Sequence, residues 1–174
     1  MRNQLLVAWM MGAALLLGVE AGAQTTPPAA APTAAAPAAP PPLYGTPITA
    51  DQAKAAATAA IAEAKKNNWF YAVAVVEPSG DLVYFERMDN TQYASAKIAQ
   101  VRARSAALFR RATKAFADRV SQNDLSVFAL ADANWSEGGL PIIVNGKLIG
   151  AIGASGGTQP QDGQVAKAGA DAVK

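Results

Sequence analysis

Apolar residues change their spacing several times along the chain, and each change marks an element. Between residues 138 and 157, two β-branched runs, Leu140–Val144 and Leu148–Ala154, flank the dipeptide Asn145-Gly146. That dipeptide suits a type I′ turn, whose two central residues both need φ > 0, so the runs are predicted to pair as an antiparallel hairpin. The second run leads into Gly153-Ala154-Ser155-Gly156-Gly157, a loop of small residues that a ligand or another backbone can approach closely. Phe70–Val76 is apolar at every position. Such a run is too continuous for a strand with one wet face, which places it centrally in a sheet covered on both sides. Glu77-Pro78-Ser79-Gly80-Asp81 carries turn chemistry, and Leu82–Arg87 returns as the second strand of another hairpin.

Helical spacing fills the intervals. Thr49 and Gln52 form a capping-box pattern ahead of an Ala-rich helix that runs to about Lys66 and stops at Asn67-Asn68. Tyr93–Arg110 holds apolar positions at helical spacing without a breaker, and Thr113–Val120 forms a shorter helix with Thr113 as its cap. Within 121–137 the run Leu125–Leu130 fits a short strand or a helical turn, and a helix or irregular segment is the preferred reading. Gln159–Lys174 fits a terminal helix, in which Gly163 and Gly169 each cost about 1 kcal/mol relative to Ala. Helix, hairpin, two helices, hairpin, helix is an α+β order, with an antiparallel sheet of four to five strands covered by helices.

The amino-terminal stretch adds a destination. Arg2, the apolar run Leu5–Val19 and Ala21-Gly22-Ala23 together match a secretory signal over residues 1–23. Residues 24–47 are Pro- and Ala-rich and are expected to act as an extended linker, leaving 48–174 as the folded domain of a periplasmic or secreted protein without a membrane span after cleavage. With no cysteine in the chain, the exported domain must stand on its core alone. A net charge of +2 gives no argument for nucleic acid, and the cluster Arg102, Arg104, Arg110, Arg111 and Lys114 is read as one solvated helix face. The chain has no histidine either, which removes the commonest general base, zinc ligand and haem ligand.

Several stretches taken together, Ala74-Val75-Val76, Gly80-Asp81-Leu82, Phe85-Glu86-Arg87-Met88-Asp89, Ala103–Phe109, Gly138-Gly139-Leu140-Pro141-Ile142, Gly150–Gly157 and Gln161-Asp162, resemble the family of GlcG-like and HbpS-like proteins. That family includes the carboxy-terminal domain of PduO-type corrinoid adenosyltransferases. The resemblance spans the whole predicted domain. It implies a profilin-like fold with a central antiparallel sheet flanked by helices, assembly into homo-oligomers, and, for exported members, haem as the bound cofactor with roles in haem or iron sensing. It attaches no catalytic activity to the domain. The sequence departs from haem-binding relatives that offer a histidine to the iron, leaving Met88 or Tyr93 as iron-ligand candidates, with Tyr71, Tyr84 and Lys97 behind them.

The resulting ligand-binding set is Tyr84, Arg87, Met88, Tyr93, Trp135, Gly153, Ser155, Gly156, Gly157 and Asp162. Arg87 leaves the end of a strand and can grip a carboxylate such as a propionate. Gly153–Gly157 with Gln161-Asp162 can form a nest of amides for an anionic group. Trp135 can cap a flat ligand by stacking. The spacing matches neither a phosphate-binding lysine loop nor a dinucleotide fingerprint. The leading expectation is therefore a binding protein for haem or a related tetrapyrrole rather than an enzyme. Two alternatives stand beside it: a small-carboxylate lyase, isomerase or hydrolase with Arg87 as anchor and Glu137 or Asp162 as base, and a ligand-independent module that docks on an envelope sensor protein. Ser136, Ser155 and Thr158 have no histidine to activate them as nucleophiles.

Overall fold

The computed structural model describes residues 40–174. The expected signal segment and residues 24–39 of the expected linker lie outside the described residues. Within the described residues the order is β1 (Leu43–Tyr44), α1 (Ala50–Lys66), β2 (Ala72–Val76), β3 (Leu82–Arg87), α2 (Ala94–Phe109), α3 (Lys114–Ser121), a 3-10 helix (Leu125–Ala129), β4 (Gly139–Val144), β5 (Lys147–Ser155) and α4 (Gln159–Asp171). These form an open five-stranded sheet flanked by helices, the α+β arrangement that the element order predicts.

β5 is the axis of the sheet, pairing antiparallel with β4 and with β2, which in turn pairs with β3. Asn145 and Gly146 both take positive φ, 50° and 74°, as the type I′ reading of the β4–β5 hairpin requires. β1 was not foreseen. It joins the start of β5 in parallel, Leu43 opposite Lys147, and the N–H groups of Gly45 and Ile48 donate to the carbonyls of Leu148 and Ile149 at 2.7 Å. The last residues of the stretch assigned to the linker thus lie on the sheet. A two-residue strand is too short to show a period.

The continuous apolar character of β2 follows from its two packed faces. Tyr71, Val73 and Val75 point with Ile152 and Ala154 into a core shared with α1 and α4. Ala72, Ala74, Val76 and Ala151 point the other way, onto Ala99, Ala103, Ala106 and Ala107 of α2. The first face carries branched and aromatic side chains; the second is almost all alanine, which brings α2 close to the sheet. Gly153 shows how close. A Cβ there would run into the Ala99 carbonyl and lie 2.6 Å from the Ala103 nitrogen. It is a strand residue packed under a helix, and this corrects the expectation that it belongs to a ligand-facing loop.

Two other expectations change at element ends, and one open reading is decided. The predicted strand from Phe70 begins at Ala72, leaving Phe70 half exposed ahead of it. Within Leu125–Leu130 the preferred helical reading holds: Leu125–Ala129 forms the 3-10 helix, with Asp124 accepting the Ser126 N–H at 3.1 Å. Thr113 does not cap α3 through its side chain. Its hydroxyl accepts the Gly139 N–H at 3.0 Å and its own N–H donates back to the Gly139 carbonyl at 3.0 Å, so the threonine clamps the α3 start to β4. The capping box of α1 is present as expected, with the Thr49 hydroxyl accepting from the Gln52 N–H.

Candidate functional site

The glycine turn after β5 is filled from inside the protein. One carboxylate oxygen of Asp162, Oδ1, accepts the N–H groups of Gly156 and Gly157 at 3.1 and 3.0 Å. The other, Oδ2, accepts from Arg102 Nη1 at 2.6 Å, and that nitrogen also donates to the Ala154 carbonyl at 2.7 Å. Arg102 Nε donates to the Ser136 hydroxyl at 3.1 Å. Both charged side chains are buried, 6% and 2% exposed. Asp162 reaches this position because Thr158 and Gln161 cap α4 and set its first turn, where a carboxylate also meets the positive end of the helix dipole. The amide nest is present, but its anion is the chain's own Asp162. This corrects the reading of the turn as an open anion site, and of Arg102 as part of a solvated face.

Other members of the predicted set are also taken up by the fold. Ser155 is buried and its hydroxyl donates to Ser95 at 3.2 Å. Met88 and Tyr84 pack against the core, and the Tyr84 hydroxyl lies 3.4 Å from Glu86 Oε2. Trp135 sits away from Gly156–Gly157: its ring meets Phe128 edge-on at 4.6 Å and its indole N–H donates to the Val127 carbonyl, which fixes the 3-10 helix. The remaining basic residues hold separate partners. Arg104 pairs with Asp132, Lys114 with Asp118, and Arg110 lies over the Tyr44 ring.

Beside the turn lies a surface cleft of about 360 Å³. Gly156 and Gly157 line it with Trp69, Phe70, Asn90, Gln92 and Gln161. Its volume falls near the lower end of ligand sites, roughly 300–1,000 Å³. Tyr93 follows Gln92 in the chain and Arg87 lies three residues before Asn90; neither lines the cleft itself, and the guanidinium stands 5.2 Å over the Tyr93 ring, with that tyrosine 86% exposed. The fold thus brings Gly156 and Gly157 together with Trp69 and Phe70, which the sequence reading missed. Their signal was available: an aromatic pair between the Asn67-Asn68 helix stop and the first buried residue of a strand. Behind Gly157 the Tyr71 hydroxyl is buried without a hydrogen-bond partner, and burial, followed by the neighbouring Asp162 carboxylate, pushes its pKa well above the usual phenol value.

The arrangement suits binding better than acid–base turnover. Asp162 is committed to Arg102 and two amides, and Glu137 lines a different cleft. Among the described residues no group of three or more acidic side chains is placed to hold a metal ion, and no helix is long and apolar enough to cross a membrane.

Fold and site together define a helix-flanked, open-sheet α+β domain with a ligand-sized cleft beside an internally latched glycine turn. The family model described as haem degrading protein HbpS-like matches residues 48–171, and the chain belongs to that family. It is similar to Protein GlcG of Escherichia coli K12, 44% identical over 94 residues that cover 53% of this chain and 69% of GlcG. Among solved structures, a double mutant of Streptomyces reticuli HbpS superposes with a TM-score of 0.69 at 30% identity, covering 84% of this chain and 99% of that one. The PduOC:haem complex shares the fold, with a TM-score of 0.67 at 23% identity over 74% of this chain and 96% of that one.

Proposed function

We propose that this is an exported protein that binds haem or a related tetrapyrrole at the cleft beside Gly156–Gly157 and serves in its sequestration or sensing. Membership of the HbpS-like family supports a haem-related binding function. The observation that carries the reading to this site is the cleft itself, where Phe70 is 50% exposed beside the partly buried Trp69 and the remaining lining is two glycines and the amide side chains of Asn68, Asn90, Gln92 and Gln161. An exposed aromatic at the rim of a concavity is what a flat apolar ligand covers.

The donors present fit a haem whose iron meets oxygen. Tyr93 presents an exposed ring under the Arg87 guanidinium, whereas Met88 packs against the core. Tyrosine is an established haem ligand. Bound haem supplies a redox-active iron and a planar apolar surface. The chain's part is to cover that plane with Trp69 and Phe70, to present the Tyr93 hydroxyl to the iron, and to offer Arg87 to a propionate.

Haemin titration tests this directly. A saturable Soret change is expected, with Tyr93→Phe altering the visible spectrum. Phe70→Ala forfeits part of one aromatic side chain's burial, about 1.4 kcal/mol, or roughly a tenfold weaker Kd. A spectrum that shows no saturable change would refute the proposal.

A further inference from the structure

A second cleft, of about 350 Å³, shares none of its lining residues with the first. Gly138, Gly139, Leu140 and Pro160 give it an apolar surface, and Glu137, Lys114 and Lys167 give it charge. Glu137 is held in an unusual way. Its backbone N–H donates to Gln159 Oε1 at 3.1 Å, and its side chain lies flat on α4 at Gly163. A Cβ at Gly163 would meet Glu137 Oε1 and would lie 2.8 and 2.9 Å from its Cδ and Cγ. The chain thus keeps a poor helix former inside α4 at the point where this side chain rests.

The carboxylate so positioned is half-buried. Among the described residues it has neither a hydrogen-bond donor nor a cation within bonding distance. The two lysines are differently placed. Each pairs at 2.6 Å with an aspartate four residues along its own helix, Lys114 with Asp118 and Lys167 with Asp171, at side chains at least half exposed. Exposed pairs of this kind are weak and salt-screened, so either lysine can exchange its aspartate for a ligand's carboxylate at little cost. An unpartnered anion, two exchangeable cations and an apolar wall therefore line one volume of small-ligand size.

We propose that this cleft is a second binding site, for a small zwitterion of the apolar amino-acid class: its ammonium meets Glu137, its carboxylate Lys114 or Lys167, and its apolar body Leu140 and Pro160. The assignment rests on this cleft alone and is independent of haem binding.

L-leucine and its two one-charge analogues, isoamylamine and isocaproate, are the probes, followed by amide-resolved NMR titration of the full chain. L-leucine is expected to shift the Gly138, Gly139 and Gly163 amides saturably. Isoamylamine should bind at least tenfold more weakly, and isocaproate more weakly still. Glu137→Gln keeps the side chain's shape and removes its charge, and should weaken L-leucine at least tenfold while leaving the haemin response unchanged. The double variant Lys114→Met with Lys167→Met should weaken L-leucine but not isoamylamine. Gly163→Ala, which displaces the Glu137 side chain, is a second variant should Glu137→Gln fold poorly, and it should abolish the leucine shifts in a protein whose remaining spectrum is native. Absence of saturable shifts at these glycines with all three probes, isocaproate binding as tightly as L-leucine, or full affinity in folded Glu137→Gln would each overturn the proposal.

Discussion

Asp162→Ala is the sharpest perturbation that the structure offers. It removes the 2.6 Å pair with Arg102 and the acceptor for both glycine amides in one step. Breaking a buried ion pair by deleting one partner costs roughly 3–5 kcal/mol, because the remaining charge stays desolvated. Two features hold this case near the middle of that range. Arg102 keeps the Ala154 carbonyl and Ser136 as partners, and the Gly157 amide is at an exposed residue where water can replace the lost acceptor. At a urea slope of about 2 kcal/mol/M, a loss of about 4 kcal/mol lowers the unfolding midpoint by about 2 M. Asp162→Asn retains an oxygen for the two amides and removes only the charge, so it separates the two contributions. Combined with Arg102→Met it should recover stability relative to either single variant, since paired removal of buried charges is often neutral. An Asp162→Ala midpoint within about 0.5 M of the parent, or strictly additive losses in the double variant, would refute the latch.

Gly153→Ala drives a methyl group between the Ala99 carbonyl and the Ala103 nitrogen, both backbone, so α2 must move. A loss of about 1–3 kcal/mol or more is expected, read as a fall in thermal midpoint of several degrees, and an unchanged midpoint would contradict the packing. Thr113→Val strips the acceptor from the buried Gly139 N–H, which should cost about 1–3 kcal/mol by urea denaturation. Tyr71 has its phenol pKa raised in the folded state, so its stabilisation of the protonated form is complete below about pH 10 and is lost as pH climbs through the higher folded value. Tyr71→Phe should therefore leave the urea midpoint little changed at neutral pH and flatten its decline on the alkaline side; an equally steep decline in the variant would count against that origin.

Spacing alone made the scaffold legible. β2 announced its two covered faces by having no polar position, and the Asn145-Gly146 hairpin its turn by needing two positive φ values. The latch stayed hidden for a physical reason: Arg102 and Asp162 are separated by 60 residues, and charge patterning weighs an arginine as solvated. Helical spacing carried the correction within itself. Ser95, Ala99, Arg102, Ala103 and Ala106 share the buried face of α2, so a guanidinium at that position had to find an internal anion. Two glycines owe their identity to packing in the same way. Gly153 and Gly163 are small because a helix backbone and a glutamate side chain occupy the space, a constraint that only tertiary packing reveals.

The first turns of α4 tie the two clefts to the latch. Gln161 lines the cleft at the glycine turn, Pro160, Gly163 and Gln164 line the one at Glu137, and Asp162 between them points inward to Arg102. A helix start held by its capping box and by a buried carboxylate is a rigid wall for both volumes. Loosening it at Asp162 therefore disturbs both binding surfaces together, while Tyr93 touches only the haem proposal and Glu137 only the zwitterion site. Rigidity at Asp162 and chemistry at the two rims are separable by mutation, because the charge that fixes the wall is buried inside the protein and the groups offered to ligands stand at the clefts' edges.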